Sequence, residues 1–401
     1  MLAGAPPPEP ESGASRAPGM GVLALAGSHL AMVPAGASQA LYGPSMPELA
    51  VRYGLSSGEL GLIIAAHSIG TVLGIGGWVV AGSRPHPGTF SGAGAALLGV
   101  GLLTVAGAPT WVLTLVGATL IGAGFGSTVV ALNMWSTRSY DRHRVTVLST
   151  LAAGFGVGAV TGPSLVGAVG PARFGVGFVT FGLVSAVAAV ALLVAGARGE
   201  EVPEATAARL TVRGGVPLVA AFMVALGLYV GFEAGTGGWL ATHLVGVGVE
   251  PATAAGWTAG FWITFTAGRL LGAPVAHRFA EHRFVPILFA AAALSMLVAA
   301  VPGVEVWGYL VAGVVIALIF PALLSWFTRA FGQPPIAVAL LFASGSVGAG
   351  VLPPTIGVLI DRFGVGVTPL SLAVIAATAC ALSLVLARRL APAHSQPVPT
   401  S

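Results

Sequence analysis

Charge is what this 401-residue chain has least of: Asp, Glu, Lys and Arg make up 7% of it, against about 25% in an ordinary soluble domain. That is too little to cover the surface of a water-soluble protein of this length. Lysine is missing altogether, and the arginines are scattered among apolar runs, so no basic patch for nucleic acid forms. One cysteine, Cys380, excludes an intramolecular disulfide. No GxxxxGK[ST] segment is present, which leaves ATP drive unsupported, and no HExxH or His/Cys cluster suggests a metal. The clustered polar groups that a membrane enzyme needs near one face are also lacking, so no enzyme, cofactor or metal is expected. The 59 glycines show no three-residue period, which excludes a collagen-like chain. Short alternating strands are absent too, against an outer-membrane barrel. What is present is apolar: 56% of the residues are hydrophobic, gathered in runs of about 20, the length that crosses a bilayer as a helix. The fold class is an all-α polytopic membrane protein with the lipid bilayer as its solvent.

Twelve such runs can be drawn, near 20–43, 58–82, 89–107, 110–136, 145–169, 172–195, 215–243, 252–277, 283–300, 305–328, 335–360 and 366–388. Most breaks are short and turn-like. The longest interior one, 196–214, carries three Arg and three Glu and divides the chain near its midpoint. It reads as a linker between two six-helix halves, 20–195 and 215–390. The tails 1–19 and 391–401 lie outside them. The first is polar and Pro-rich, expected to be disordered, and does not open with the basic region of a signal peptide. With both termini in the cytoplasm, only Arg52, Arg173 and Arg362 fall outside and Arg269 within a run; every other Arg faces inward. The positive-inside rule therefore favours an even span count in a cell inner (plasma) membrane.

The halves share local patterns. Trp135-Ser136-Thr137-Arg138 ends the fourth run, and Trp326-Phe327-Thr328-Arg329 ends the tenth. GAVTGPSLVG, from Gly158 to Gly167, and GAGVLPPTIG, from Gly348 to Gly357, repeat Gly, Pro and Gly at the same offsets. Gly70 and Gly74 in the second run match Gly268 and Gly272 in the eighth. Parallel six-helix repeats are used by one large class of alternating-access carriers. On these motifs, and on GRLLGAPVAHRF from Gly268 to Phe279, the chain resembles the major facilitator superfamily of transporters. The N-terminal copy, GTVLGIGGWVVAGSRPHPG, departs from that signature, with no acid and few basic residues. The resemblance implies twelve helices in two pseudo-symmetric bundles, a central cavity between them, and activity as a monomer. YVGFEAGTGGWLATHL also resembles the seventh helix of the fucose/glucose-galactose proton symporter branch, which implies a sugar-like ligand.

Glu233 is the one acid deep inside a predicted span. A charge at that depth is costly and is kept for a partner or a task. A carboxylate in a low dielectric can exchange a proton near neutral pH, the property a coupling site needs. It could equally be a structural carboxylate paired with an Arg. The glycines around it permit close packing, a kink or unwinding of the helix. Candidate substrate contacts are Glu233, the neutral amides Gln39 and Asn133, the imidazoles His29 and His67, and the aromatic residues Tyr229, Trp239 and Trp262. Amides and acids suit hydroxyls, and aromatic faces suit the C–H faces of a sugar or an amphipathic drug. In the family reading Arg269 and Arg278 belong to the gate at the cytoplasmic side. Glu48 and Glu59, flanking the first outer loop, and the Asp361–Arg362 pair read as a solvated rim or outer gate.

Besides a uniporter, in which Glu233 binds the solute and exchanges no proton, three functions stay open. The first is a proton-coupled secondary transporter of a small polar solute, with sugar as the leading class. The second is a proton-coupled exporter of amphipathic compounds or drugs. The third is a receptor or scaffold on the same fold that moves nothing.

Overall fold

The computed structural model describes residues 20–82, 85–140, 144–199, 215–276, 278–332 and 335–390. Both tails and most of the expected linker therefore lie outside the described residues. Those described fold into helices α1 (Val22–Ala40), α2 (Tyr42–Tyr53), α3 (Ser57–Ala81), α4 (Pro87–Gly107), α5 (Trp111–Ser139), α6 (Arg144–Val169) and α7 (Gly175–Ala197), then α8 (Val216–Gly246), α9 (Pro251–Ala276), α10 (Glu281–Ala299), α11 (Glu305–Ile316), α12 (Ile319–Phe331), α13 (Pro335–Phe363) and α14 (Val367–Leu390). Ten segments among them are long and apolar enough to cross a membrane. The segment α1–α2 and helix α9 are not in that set, although both match expected runs. They are rich in Gly, Ser, Thr and Pro, and each gives side chains to the central cavity, where less apolar surface is required.

Two boundaries differ from the sequence expectation. The first run continues as α2 through Tyr53, with Pro44 near its start and Pro47 inside it. Proline is tolerated in a membrane helix where neighbouring helices absorb the freed carbonyl. The tenth run is broken into α11 and α12 at Ala317–Leu318. Helix ends carry ordinary caps. Ser56 and Glu59 form a capping box at the start of α3. Glu250 caps α9, accepting the Ala252 and Thr253 N–H groups at 2.9 and 2.8 Å. Those bonds favour the ionised form and hold its carboxyl below the usual range.

Glycine sets how closely the helices approach. Without a Cβ, two backbones can come into contact, which is how membrane helices gain packing energy where lipid offers no hydrophobic drive. Gly70 and Gly74 of α3 lie against the α5 backbone at Thr119 and Ala123, and Gly122 of α5 lies against the His67 carbonyl. The second half repeats this arrangement: Gly268 and Gly272 of α9 meet Val314 of α11 and Leu318. Likewise Gly158 of α6 rests on the Val33 carbonyl of α1, as Gly348 of α13 rests on the Gly227 carbonyl of α8. The repeated sequence motifs are thus repeated packing positions. Polar side chains in the spans mostly bond back into their own helix: Ser28, Ser45, Ser68, Thr71 and Thr258 each donate to the carbonyl four residues earlier.

The two halves meet along α3–α13, α6–α9 and α2–α8. The end of the molecule at which α7 finishes and α8 begins is here the linker end. At the opposite, far end Gly43 of α2 packs on the Gly237 carbonyl of α8, and Gly61 of α3 on Pro354 of α13. These contacts roof a cavity between the halves.

A Gly122→Ala substitution drives a methyl into the His67 carbonyl, and we expect a loss of about 1–3 kcal/mol of stability from overpacking. A methyl added at Gly76, in the same α3–α5 region, would meet no atom within 4 Å. There Gly→Ala should be neutral or stabilising, by up to about 1 kcal/mol. Thermal unfolding of the purified protein in detergent checks both.

Candidate functional site

The cavity holds about 160 Å³ and is walled by both halves. From the first half come Gln39 and Tyr42, near the α1–α2 junction, with His67, Ser68 and Thr71 of α3, Phe125 of α5 and Phe155 of α6. The second half supplies Glu233, Ala234, Gly237 and Gly238 of α8, Trp262 of α9, and Ser346 of α13. Gln39 and Tyr42 are three residues apart, one helical turn, and so share a face. His67 and Thr71 do the same four apart.

On the first wall the polar groups form a chain. The Gln39 Nε2 amide lies 2.8 Å from His67 Nε2, and Tyr42 Oη lies 3.1 Å from His67 Nδ1. An amide NH₂ can only donate, so His67 Nε2 accepts and its ring proton sits on Nδ1, donating to Tyr42 Oη. Two groups are left for a ligand: the Gln39 carbonyl oxygen as acceptor and the Tyr42 O–H as donor. The His67 ring meets Tyr42 edge-on at 5.6 Å and Phe125 at 5.6 Å. It is buried and held on all sides.

Opposite stands the acid. Glu233 lies on α8, half-buried, with its remaining exposure toward the cavity. Arg269 of α9 and Tyr229, one turn earlier on α8, both lie within electrostatic range of it, without a close ion pair. Neither the Tyr229 hydroxyl nor Arg269 Nε makes a hydrogen bond of normal geometry. The Arg269 guanidinium instead lies over the Phe265 ring at 4.5 Å, a cation–π contact. Trp262 completes this wall, packed edge-on against Phe261 and Phe265. Gly237 faces the Trp262 ring, and a side chain there would crowd it at 3.1 Å.

Gln39, His67, Glu233 and Trp262 are therefore brought together as the sequence suggested. Other candidates are not. Trp239 is fully buried, with its Nε1–H donating to the Pro353 carbonyl at 2.9 Å; it pins α8 to α13. The ring nitrogens of His29 are taken by the Leu25 carbonyl at 2.8 Å and the Thr150 hydroxyl at 2.9 Å, joining α1 to α6. Asn133 is exposed and donates to the Val129 carbonyl of its own helix at 2.8 Å. Tyr229 sits behind Glu233, outside the cavity lining. Of the options that the glycines around Glu233 permit, close packing is the one observed. Helix α8 is continuous over 31 residues. Gly231 faces Leu352 and Gly348, Gly235 faces Ile356, and Gly238 faces Ile64.

Among the gate candidates, Arg269 borders a small cleft between α6 and α9, with Ala152, Gly156 and Thr266. Arg278 is exposed in the turn after α9. Glu48 lies half-buried on α2 rather than in a loop. Glu59 is the capping-box acid of α3, its Oε2 accepting the Ser56 N–H at 2.9 Å. Sequence reading missed Tyr42, Phe125 and Phe155. For Tyr42 a signal existed, since it falls one turn from Gln39.

The two tryptophans separate structure from recognition. Trp239→Phe should cost about 1–3 kcal/mol, because it leaves the buried Pro353 carbonyl unpaired, and should lower the melting temperature. Trp262→Phe loses packing but no hydrogen bond, so it should lower the melting temperature less than Trp239→Phe does.

Known proteins share this architecture. A bacterial homologue of the human lysosomal transporter Spinster, in an inward-facing and occupied conformation, superposes with a TM-score of 0.74 at 15% identity, covering 93% of this chain and 98% of that one. A D-xylose–proton symporter gives 0.73 at 14%, over 90% and 96%. The transporter FucP, in an outward conformation, gives 0.64 at 17%, over 92% and 98%. At such identities the likeness is one of fold. No curated protein matches the chain at a significant level. The sequence profile of the Major Facilitator Superfamily matches residues 29–334, and with that match across most of its length the chain belongs to this superfamily, as a multi-pass membrane transporter and not an enzyme.

Proposed function

We propose that this protein is a secondary transporter that carries a small neutral, hydroxyl-bearing solute, with a sugar as the leading class, by proton-coupled alternating access. One observation carries the reading: a lone cavity acid, Glu233, faces a neutral Gln39–His67–Tyr42 chain on the opposite half. A hydroxyl both donates and accepts. It suits a wall offering one acceptor and one donor, and it can also donate to the Glu233 carboxylate. Trp262 and Phe125 offer flat faces to the C–H side of a ring. Arg269 lies within electrostatic range of Glu233, so the second wall holds both signs of charge and a solute ionised with either sign would meet a like charge there. The fold shared with a D-xylose–proton symporter is consistent with this class.

In this reading the chain crosses the inner membrane twelve times in two six-helix bundles, with both termini cytoplasmic, and works as a monomer. Glu233 takes up and releases the proton. Gln39 and Tyr42 meet the solute, and His67 aligns them. Arg269, next to the α6–α9 cleft, and Arg278 belong to the cytoplasmic side, while Glu48 and Glu59 lie at the outer one. The aromatic lining from Phe125, Phe155 and Trp262 favours a second reading, an exporter of amphipathic compounds.

Proteoliposome uptake of a panel of radiolabelled neutral monosaccharides, with and without an inward proton gradient, separates the readings. We expect gradient-driven accumulation in the wild-type protein. In Glu233→Gln accumulation should be lost while equilibrative exchange continues. Full accumulation by Glu233→Gln would refute proton coupling through this residue. Saturable transport of hydrophobic dyes with no monosaccharide uptake would favour the exporter.

A further inference from the structure

At the far end a carboxylate reaches from one half to the other. Asp361, on the last turn of α13, accepts the Ser57 N–H through Oδ1 and the Gly58 N–H through Oδ2, both at 2.7 Å. Ser57 and Gly58 open α3, and the first N–H groups of a helix have no partner within it. The α3 terminus is thus capped twice. Its own capping box engages Ser56 and Glu59 at 2.9 and 3.3 Å. The acid from the other half takes the two donors between them. Negative charge is favoured at a helix N-terminus, and hydrogen bonds to an ionised acceptor are the stronger kind.

The approach depends on small residues. A methyl at Gly58 would lie 3.1 Å from Asp361 Oδ2 and 3.1 Å from Val358 Cγ2. Gly61 against Pro354 and Gly357 against Ser57 bring α3 and α13 together on either side of the carboxylate. The linker end of the same helix pair has no such acid in its sequence. The segment from Gly82 to Gly88 supplies Arg84 and His86, and the segment from Gly332 to Pro335 supplies no charge.

We propose that Asp361 is the latch of the far-end gate. Its carboxylate holds the two halves shut over the cavity by capping α3 across the interface, and the latch must release for the cavity to open at that end. With an acid at one end of the α3–α13 pair and none in the connecting segments at the other, the latch biases the resting protein toward far-end closure. The inference rests on alternating access, and the experiment separates the two.

The full-length protein, with Cys380→Ser, carries spin labels at two exposed pairs. Val51→Cys and Val301→Cys report the far end, and Val80→Cys and Phe279→Cys report the linker end. Pulsed EPR distances are recorded in nanodiscs without solute. We expect a single short far-end population in the parent. Asp361→Asn, which keeps the shape and loses the charge, and Asp361→Ala should each raise the open far-end fraction about tenfold. Gly58→Ala, which pushes the carboxylate away without altering it, should move the fraction the same way. A shortened linker-end distance in the same variants supports alternating access. Far-end opening with an unchanged linker-end distance keeps the latch and overturns alternating access. Far-end distributions equal to the parent in all three variants overturn the latch.

Discussion

Within a bilayer no water is available to bond a polar atom, and the cost of leaving one unpaired is several kcal/mol. The rest of the structure follows from that constraint. The exposed threonines Thr180, Thr355 and Thr378 each donate to a carbonyl of their own helix, which satisfies their hydroxyls without a partner outside it. Asn133 does the same. Side chains that cannot satisfy themselves locally are paired across helices, as His29 is with Thr150, Trp239 with Pro353, and His243 with Tyr309 at 3.0 Å. Among the described residues, three of the buried groups left without a hydrogen-bond partner, Tyr229, Trp262 and Arg269, lie at or beside the cavity, while Ser136, Arg138, Thr242 and Thr368 lie outside its lining. The site itself has two walls that belong to different halves.

Glycine makes the approach of those walls geometrically workable. Gly122 lies on the carbonyl of His67 itself, so the closeness of α5 to α3 fixes the height of the imidazole. Gly237 leaves room for the Trp262 ring, and Gly43 brings α2 down onto α8 directly above the cavity. In an aqueous protein such helical glycines would be a net loss of stability. Here the close packing they allow replaces a hydrophobic drive that lipid does not supply. The same residues place the binding groups and close the roof above them.

Much of the fold is legible in sequence because apolar length and charge placement are one-dimensional properties. Run boundaries match helices within a few residues across both halves, and the repeated glycines mark true contacts. The differences have separate causes. Tyr53 falls beyond the first expected span, which stops at 43, yet the chain goes on as α2, where α8 packs against it. Glu59, read as an outer gate acid, also closes a capping box with Ser56, and that local pattern is itself readable in the sequence. Trp239 and Trp262 look alike in sequence, and only their azimuth about α8 and α9 sends one into the core and the other to the cavity.

By itself the sequence determined that this chain lives in a membrane, that short Gly and Pro motifs recur in its two halves, and that Glu233 is a costly acid requiring a reason. Those properties depend on composition and spacing along a single axis. The tertiary structure decided which groups face one another: Gln39 and Tyr42 with His67, Arg269 with Glu233, and Asp361 with the start of an α3 some 300 residues earlier. Such pairings depend on how two bundles rotate and approach, which is set by the sum of many glycine and side-chain contacts and is written in no single stretch of the chain.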